Sequence, residues 1–183
     1  MADWDDVIDL TKLGDWLSEQ GLGRAPLEGA ALLAGGTQNF LLRFQHNGRD
    51  FVLRRPPRHL RANSSETMRR EARVLAAIAE TDVPHARLIA ACGDEEVIGA
   101  AFYLMEPVDG FNPTTGLPAF HAGDPTVRRR MGFALVEGIA ALGQVDYRAV
   151  GLEGFGKPDG FLERQVGRWQ SQLDGYATFE AWP

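Results

Sequence analysis

Asn47-Gly48 stands between two runs of alternating apolar residues, with Phe40, Leu42 and Phe44 before it and Asp50-Phe51-Val52-Leu53-Arg54 after it. Both turn positions tolerate positive φ, so the pair predicts a two-residue hairpin whose strands are antiparallel neighbours in fixed register. Pro56-Pro57 stops the return strand, because proline lacks an N–H for the ladder. An earlier strand, Ala30-Ala31-Leu32-Leu33, runs into the turn Gly35-Gly36. Two later strands are predicted, Arg87 to Cys92 and Ala101 to Glu106, and Gly93-Asp94-Glu95-Glu96 opens the turn region between them.

Helical periodicity fills the rest. Residues 11–20 form a short amphipathic helix with Leu10, Leu13 and Leu17 on one face. A second helix covers about 64–80, with Asn63 as N-cap and Glu66 placed for a capping box. Residues 111–124 are rich in Pro, Gly and Thr and read as a loop. Asp124-Pro125 then opens a helix to about 143, with Val127, Met131, Ala134, Leu135, Ile139 and Leu142 directed inward. Gly151 to Gly160 is a loop, and a last helix over about 160–174 carries Phe161, Leu162, Val166 and Trp169. The order is three strands, a helix, two strands, then helices only. It predicts an α+β chain: a five-stranded antiparallel sheet with one inserted helix, followed by the first helices of a helical lobe.

A net charge of −6 argues against nucleic acid or an anionic membrane as partner. The arginine clusters at 54, 55, 58 and 61 and at 69, 70 and 73 therefore need a local explanation; outside Arg54 they read as solvated faces. The one cysteine, Cys92, forms no internal disulfide and reads as a buried thiol. No apolar run approaches the ~20 residues of a membrane span. The acidic start, Met1 to Asp6, has no basic-then-apolar signal pattern. A soluble, cytoplasmic chain is the expectation.

Glu71 is the most informative single residue. Its helical neighbours at −3, +3, +4 and +7 are Met68, Val74, Leu75 and Ile78, so its carboxylate points toward protein and calls for a cation. Arg54, at the end of the preceding strand, is the nearest candidate. The pair can be a structural salt bridge, or it can hold nucleotide phosphates as the equivalent pair does in kinases. Gly35-Gly36-Thr37-Gln38-Asn39 can be an ordinary turn, or a loop whose N–H groups approach phosphate oxygens. Met105 to Gly110, with Glu106 and Val108, is either a plain strand exit or a connector offering backbone groups to an adenine edge.

Several stretches together resemble the aminoglycoside-phosphotransferase-like family. They are Phe51 to Pro57, Arg70 to Leu75, Thr81 to Pro84, Val97 to Glu106, and Val145-Asp146 with Val150-Gly151-Leu152. The branch resembled is that of the kinase domains linked to acyl-CoA dehydrogenases, over about residues 28–172. The resemblance implies a protein-kinase-like fold. Residues 1–27 would be an N-terminal helical extension, 28–109 a nucleotide-binding small lobe, and 110–183 a partial helical lobe. It implies ATP as cofactor and a small-molecule hydroxyl as acceptor, with Mg2+ in the complete enzyme. It places Arg54 where the wider family has a phosphate-binding lysine, Glu71 as its partner, Gly35, Gly36, Thr37, Gln38 and Asn39 over the phosphates, and Glu106 and Val108 against adenine.

The family's His-Gly-Asp loop, with Asn five positions after the Asp, is absent from these residues. His121-Ala122-Gly123-Asp124 has an extra residue, and Arg129 stands where Asn is needed. No catalytic base and no metal ligand is therefore assigned within residues 1–183; both are expected beyond Pro183, and the chain alone is expected to be inactive. The alternative is a non-catalytic nucleotide-binding or interaction module.

Overall fold

The structure is a computed structural model that describes residues 4–33 and 39–177. The hairpin forms where the turn signal puts it. Asn47 and Gly48 have φ of 51° and 72°, and they join β2 (Phe40–His46) to β3 (Arg49–Arg55) in antiparallel register. With β1 (Leu27–Leu32), β4 (Leu88–Cys92) and β5 (Phe102–Met105) they make a five-stranded sheet, antiparallel at every pairing, in the order β1-β2-β3-β5-β4. β1 starts three residues earlier than the apolar run Ala30 to Leu33 suggests.

Each face of the sheet carries one helix. α1 (Leu10–Glu19) is capped by Asp9, whose carboxylate accepts from the N–H of Thr11 and Lys12 at 2.9 and 3.2 Å. It lays Leu13, Trp16 and Leu17 over Leu42, Phe44, Phe51, Leu53, Phe102 and Leu104, joined there by Trp4 and Ile8. Trp16 meets Phe102 edge-on, with centroids 4.8 Å apart. α2 (Ser64–Ala77) takes the opposite face, where Met68 and Ala72 pack on Ala101 and Tyr103. Because strand side chains alternate, β5 sends Phe102 and Leu104 to the first layer and Tyr103 to the second.

Two details of α2 differ from the sequence expectation. Asn63 occupies the N-cap position, but its side chain makes no capping bond. Ser64 Oγ instead accepts from the Arg61 N–H at 2.8 Å, and Thr67 Oγ1 donates to the Asn63 carbonyl at 2.9 Å. The first half of the helix is fastened by Arg69, which donates to the Gly93 carbonyl and to Glu95, both at 2.7 Å.

Arg55 also departs from the reading of a solvated arginine. It points away from α2, is only 2% exposed, and donates to the Val7 carbonyl at 3.0 Å. Burial lowers its pKa to about 10. Arg58 pairs with Asp6 one step on. The N-terminal segment is thus strapped to the end of β3 and to the residues just after it.

The chain divides into two compact units, Met1–Val145 and Asp146–Pro183. The first ends with α3 (Ala119–Gly123), a short helix inside the stretch expected to be loop, and α4 (Pro125–Gly143). Asp124 caps α4 by accepting from the Thr126 N–H at 2.7 Å. Val127 is buried, and Gly138 lies so close to Pro84 that a Cβ there would stand 3.2 Å from the ring. Met131 is half-buried, while farther along the expected inward face Leu135, Ile139 and Leu142 are more than half exposed. In the second unit Asp146 closes a turn onto the N–H groups of Arg148 and Ala149, and α5 (Phe161–Tyr176) follows. Its Leu162, Val166 and Trp169 are exposed.

Candidate functional site

The candidate site lies where the end of β3 faces the middle of α2. Arg54 is the penultimate residue of β3, on the side opposite Arg55, and Glu71 sits two turns into α2. The structure brings them together. Arg54 Nε lies 3.0 Å from Glu71 Oε2, and an Arg54 terminal nitrogen donates to Oε1 at 3.4 Å. The two side chains are 30% and 32% exposed. An ion pair that open to water adds at most about 1 kcal/mol to stability, so folding alone is a weak reason for it.

A third group closes the arrangement. The Tyr103 hydroxyl donates to Glu71 Oε2 at 2.9 Å, with the ring 4% exposed. Burial, more than the neighbouring Glu71 charge, raises the Tyr103 pKa well above that of a free phenol, and the nearby Arg54 charge only partly opposes this. Sequence reasoning missed Tyr103. The signal was available: alternation along Phe102-Tyr103-Leu104 puts it on the face that carries α2.

Arg54 and Glu71 form one wall of a cavity of about 1150 Å³, which Asn39, Arg58, Asn63 and Thr67 also line. Gly35, Gly36, Thr37 and Gln38 lie outside the described residues; Asn39, which follows them, is on the cavity wall. The connector residues lie apart from the pair, just past β5. The Glu106 N–H donates to the Arg87 carbonyl at 2.9 Å and its carboxylate pairs with Arg49 at 2.8 Å. These ties fix Glu106 from both sides, while Val108 beyond it is 72% exposed.

No group of three or more metal-ligating side chains occurs among the described residues. Asp124, in the sequence that most nearly imitates a catalytic loop, has its carboxylate committed to capping α4. No helix among the described residues is long and apolar enough to cross a membrane.

The sheet order, the helix inserted after β3 and the β3–α2 ion pair point to one family. The profile of the "Phosphotransferase enzyme family" matches residues 29–182. The chain belongs to this family. The chain is 32% identical over 130 residues to acyl-CoA dehydrogenase family member 10 of Mus musculus, covering 71% of the chain and 12% of that protein. It is 30% identical over 167 residues to family member 11 of Homo sapiens, covering 90% of the chain and 21% of that protein. The crystal structure of a Ralstonia eutropha protein classed as an aminoglycoside phosphotransferase superposes with a TM-score of 0.73 at 33% identity. That match covers 94% of this chain and 49% of the other. The chain thus spans about half of the crystallised relative and about a fifth or less of these two dehydrogenase-family proteins. The kinase-like small-lobe fold expected from the order of elements is the fold observed.

Proposed function

We propose that this chain is the ATP-binding part of a kinase that moves the γ-phosphate of ATP to a small-molecule hydroxyl. The observation that carries the reading is the Arg54–Glu71 pair, 3.0 Å apart on the wall of a cavity that Asn39 also lines. In kinases an ion pair between the third strand and the following helix holds the nucleotide phosphates. Arg54 would bind phosphate oxygens with a guanidinium that stays charged and can bond two oxygens at once. Gly35, Gly36, Thr37, Gln38 and Asn39 would cover the phosphates with backbone N–H groups. The carbonyl of Glu106 and the N–H of Val108 would meet the adenine edge. Residues 28–109 would then be the nucleotide lobe and 110–183 part of the helical lobe.

Transfer forms a bond from the acceptor oxygen to the γ-phosphorus and breaks the bond to the β–γ bridging oxygen, so ADP leaves. The hydroxyl proton needs an acceptor, and the bridging charge needs Mg2+. These residues contain no Asp followed five positions later by Asn. The base and the Mg2+ ligands would come from sequence outside them, and residues 1–183 alone would bind without turnover. Calorimetric titration with ADP and ATP tests the reading. Binding that Arg54→Ala abolishes supports it; a folded chain that binds neither nucleotide overturns it.

The missing loop also favours a second reading, a non-catalytic nucleotide-binding or interaction module. Supplying the other half of a family member in trans separates the two. Restored phosphoryl transfer supports the kinase, and nucleotide binding without transfer supports the module.

A further inference from the structure

Arg54 and Tyr103 are direct partners across the β3–β5 pairing, so their side chains leave the sheet side by side on the α2 face. Both reach one oxygen. Glu71 Oε2 is 3.0 Å from Arg54 Nε and accepts from the Tyr103 hydroxyl at 2.9 Å. We propose that Tyr103 is the positioning residue of this pair. Its hydroxyl fixes the Glu71 carboxylate so that Arg54 presents its guanidinium in one orientation. The inference deepens the nucleotide-binding reading and rests on it for the identity of the ligand.

The terminal torsion of glutamate is broad and nearly two-fold. An ion pair about one-third exposed is too weak to select a single rotamer. Arg54 itself meets the carboxylate through the Nε contact at 3.0 Å and a long terminal-nitrogen hydrogen bond at 3.4 Å. Tyr103 supplies what is lacking. Its ring is packed between α2 and the sheet, at 4% exposure, and has two torsions to fix rather than four. A hydroxyl bonded to a carboxylate is also stronger than a neutral pair.

A second tie keeps the helix in register with the strand. Ser65 Oγ accepts from the buried Ala101 N–H at 3.2 Å. Ala101, just before β5, and Tyr103 within it therefore hold residues 65 and 71 of the helix, with Met68 packed between. The cation on β3, the acid on α2 and the phenol on β5 are thus set by rigid elements on three sides.

Tyr103→Phe removes the hydroxyl and keeps the ring. In the full chain, calorimetry with ADP and with adenosine, which has no phosphate, separates positioning from general support of the cleft. The expected result is an ADP affinity lower by about tenfold, the scale of one hydrogen bond to a charged group, with adenosine affinity nearly unchanged. In a Glu71→Gln background the same change is expected to cost little more, because the two groups act through one contact. An equal loss for both ligands, or no loss for either, overturns the proposal.

The Arg54 Nε–H correlation in nitrogen-15 NMR, assigned by its disappearance in Arg54→Lys, gives a readout without ligand. It is expected to broaden in Tyr103→Phe. If the wild-type chain binds neither ligand, the nucleotide reading alone has failed and this signal decides: broadening supports positioning, and an unchanged line overturns it.

Discussion

Glu71 reaches Arg54 across the gap between a helix and a strand, and the contact is made near the end of the sheet's central strand, with both side chains about one-third exposed. This predicts a separation of binding from stability. Arg54→Ala is expected to lower the unfolding free energy by no more than about 1 kcal/mol, yet to remove ADP binding. Arg54→Lys is expected to recover part of the affinity, because it restores charge without the two-pronged geometry. Chemical denaturation and calorimetry on the same samples check both. A large stability loss in Arg54→Ala would make the pair a structural one.

The phenol of Tyr103 predicts a pH dependence of definite sign. Its folded pKa is raised above the ordinary value of 10, chiefly by burial. The group therefore contributes stability that is fully present below pH ~10, the unfolded pKa, and lost as pH rises toward the higher folded value. Wild type is expected to lose stability in this window relative to Tyr103→Phe, measured as the difference between their denaturation midpoints. Parallel curves from pH 8 to 12 would contradict the prediction.

Arg55 gives a test of the strap between the N-terminal segment and the sheet. Truncation in Arg55→Ala leaves a cavity and an unpaired Val7 carbonyl, and is expected to cost about 2 kcal/mol. Arg55→Met fills most of the volume without burying a charge and is expected to recover most of that loss. Urea midpoints measure it. If Met destabilises as much as Ala, the guanidinium's bond to Val7 matters more than its volume.

The hairpin and the ion pair were legible because each depends on few residues. Asn47-Gly48 names its own turn, and the helical neighbours of Glu71 say which way it points. Tyr103 was passed over because a tyrosine in an apolar strand reads as core; only its parity with the α2 face marks it. Adjacent arginines look alike in sequence, while strand alternation sends Arg54 to the site and Arg55 to the opposite face, against Val7. The five-residue α3 lies in a stretch whose Pro, Gly and Thr content signals a loop, and so short a helix has almost no periodicity to detect.

The α4 face shows what periodicity cannot supply. Val127, Met131, Leu135, Ile139 and Leu142 repeat at helical spacing, which identifies one apolar face but not whether anything covers it. In the structure Leu135 and Ile139 are 68% and 64% exposed. Their replacement by Gln in a double variant is therefore expected to change the unfolding free energy by about 0.5 kcal/mol or less per site, as at ordinary surface positions. It is also expected to reduce self-association, because a contiguous exposed apolar face is adhesive. Thermal denaturation and sedimentation velocity on the full chain read the two effects. A buried leucine would cost about 2–5 kcal/mol on truncation, so a loss of that size in the Gln variant would mean that the face is covered in solution.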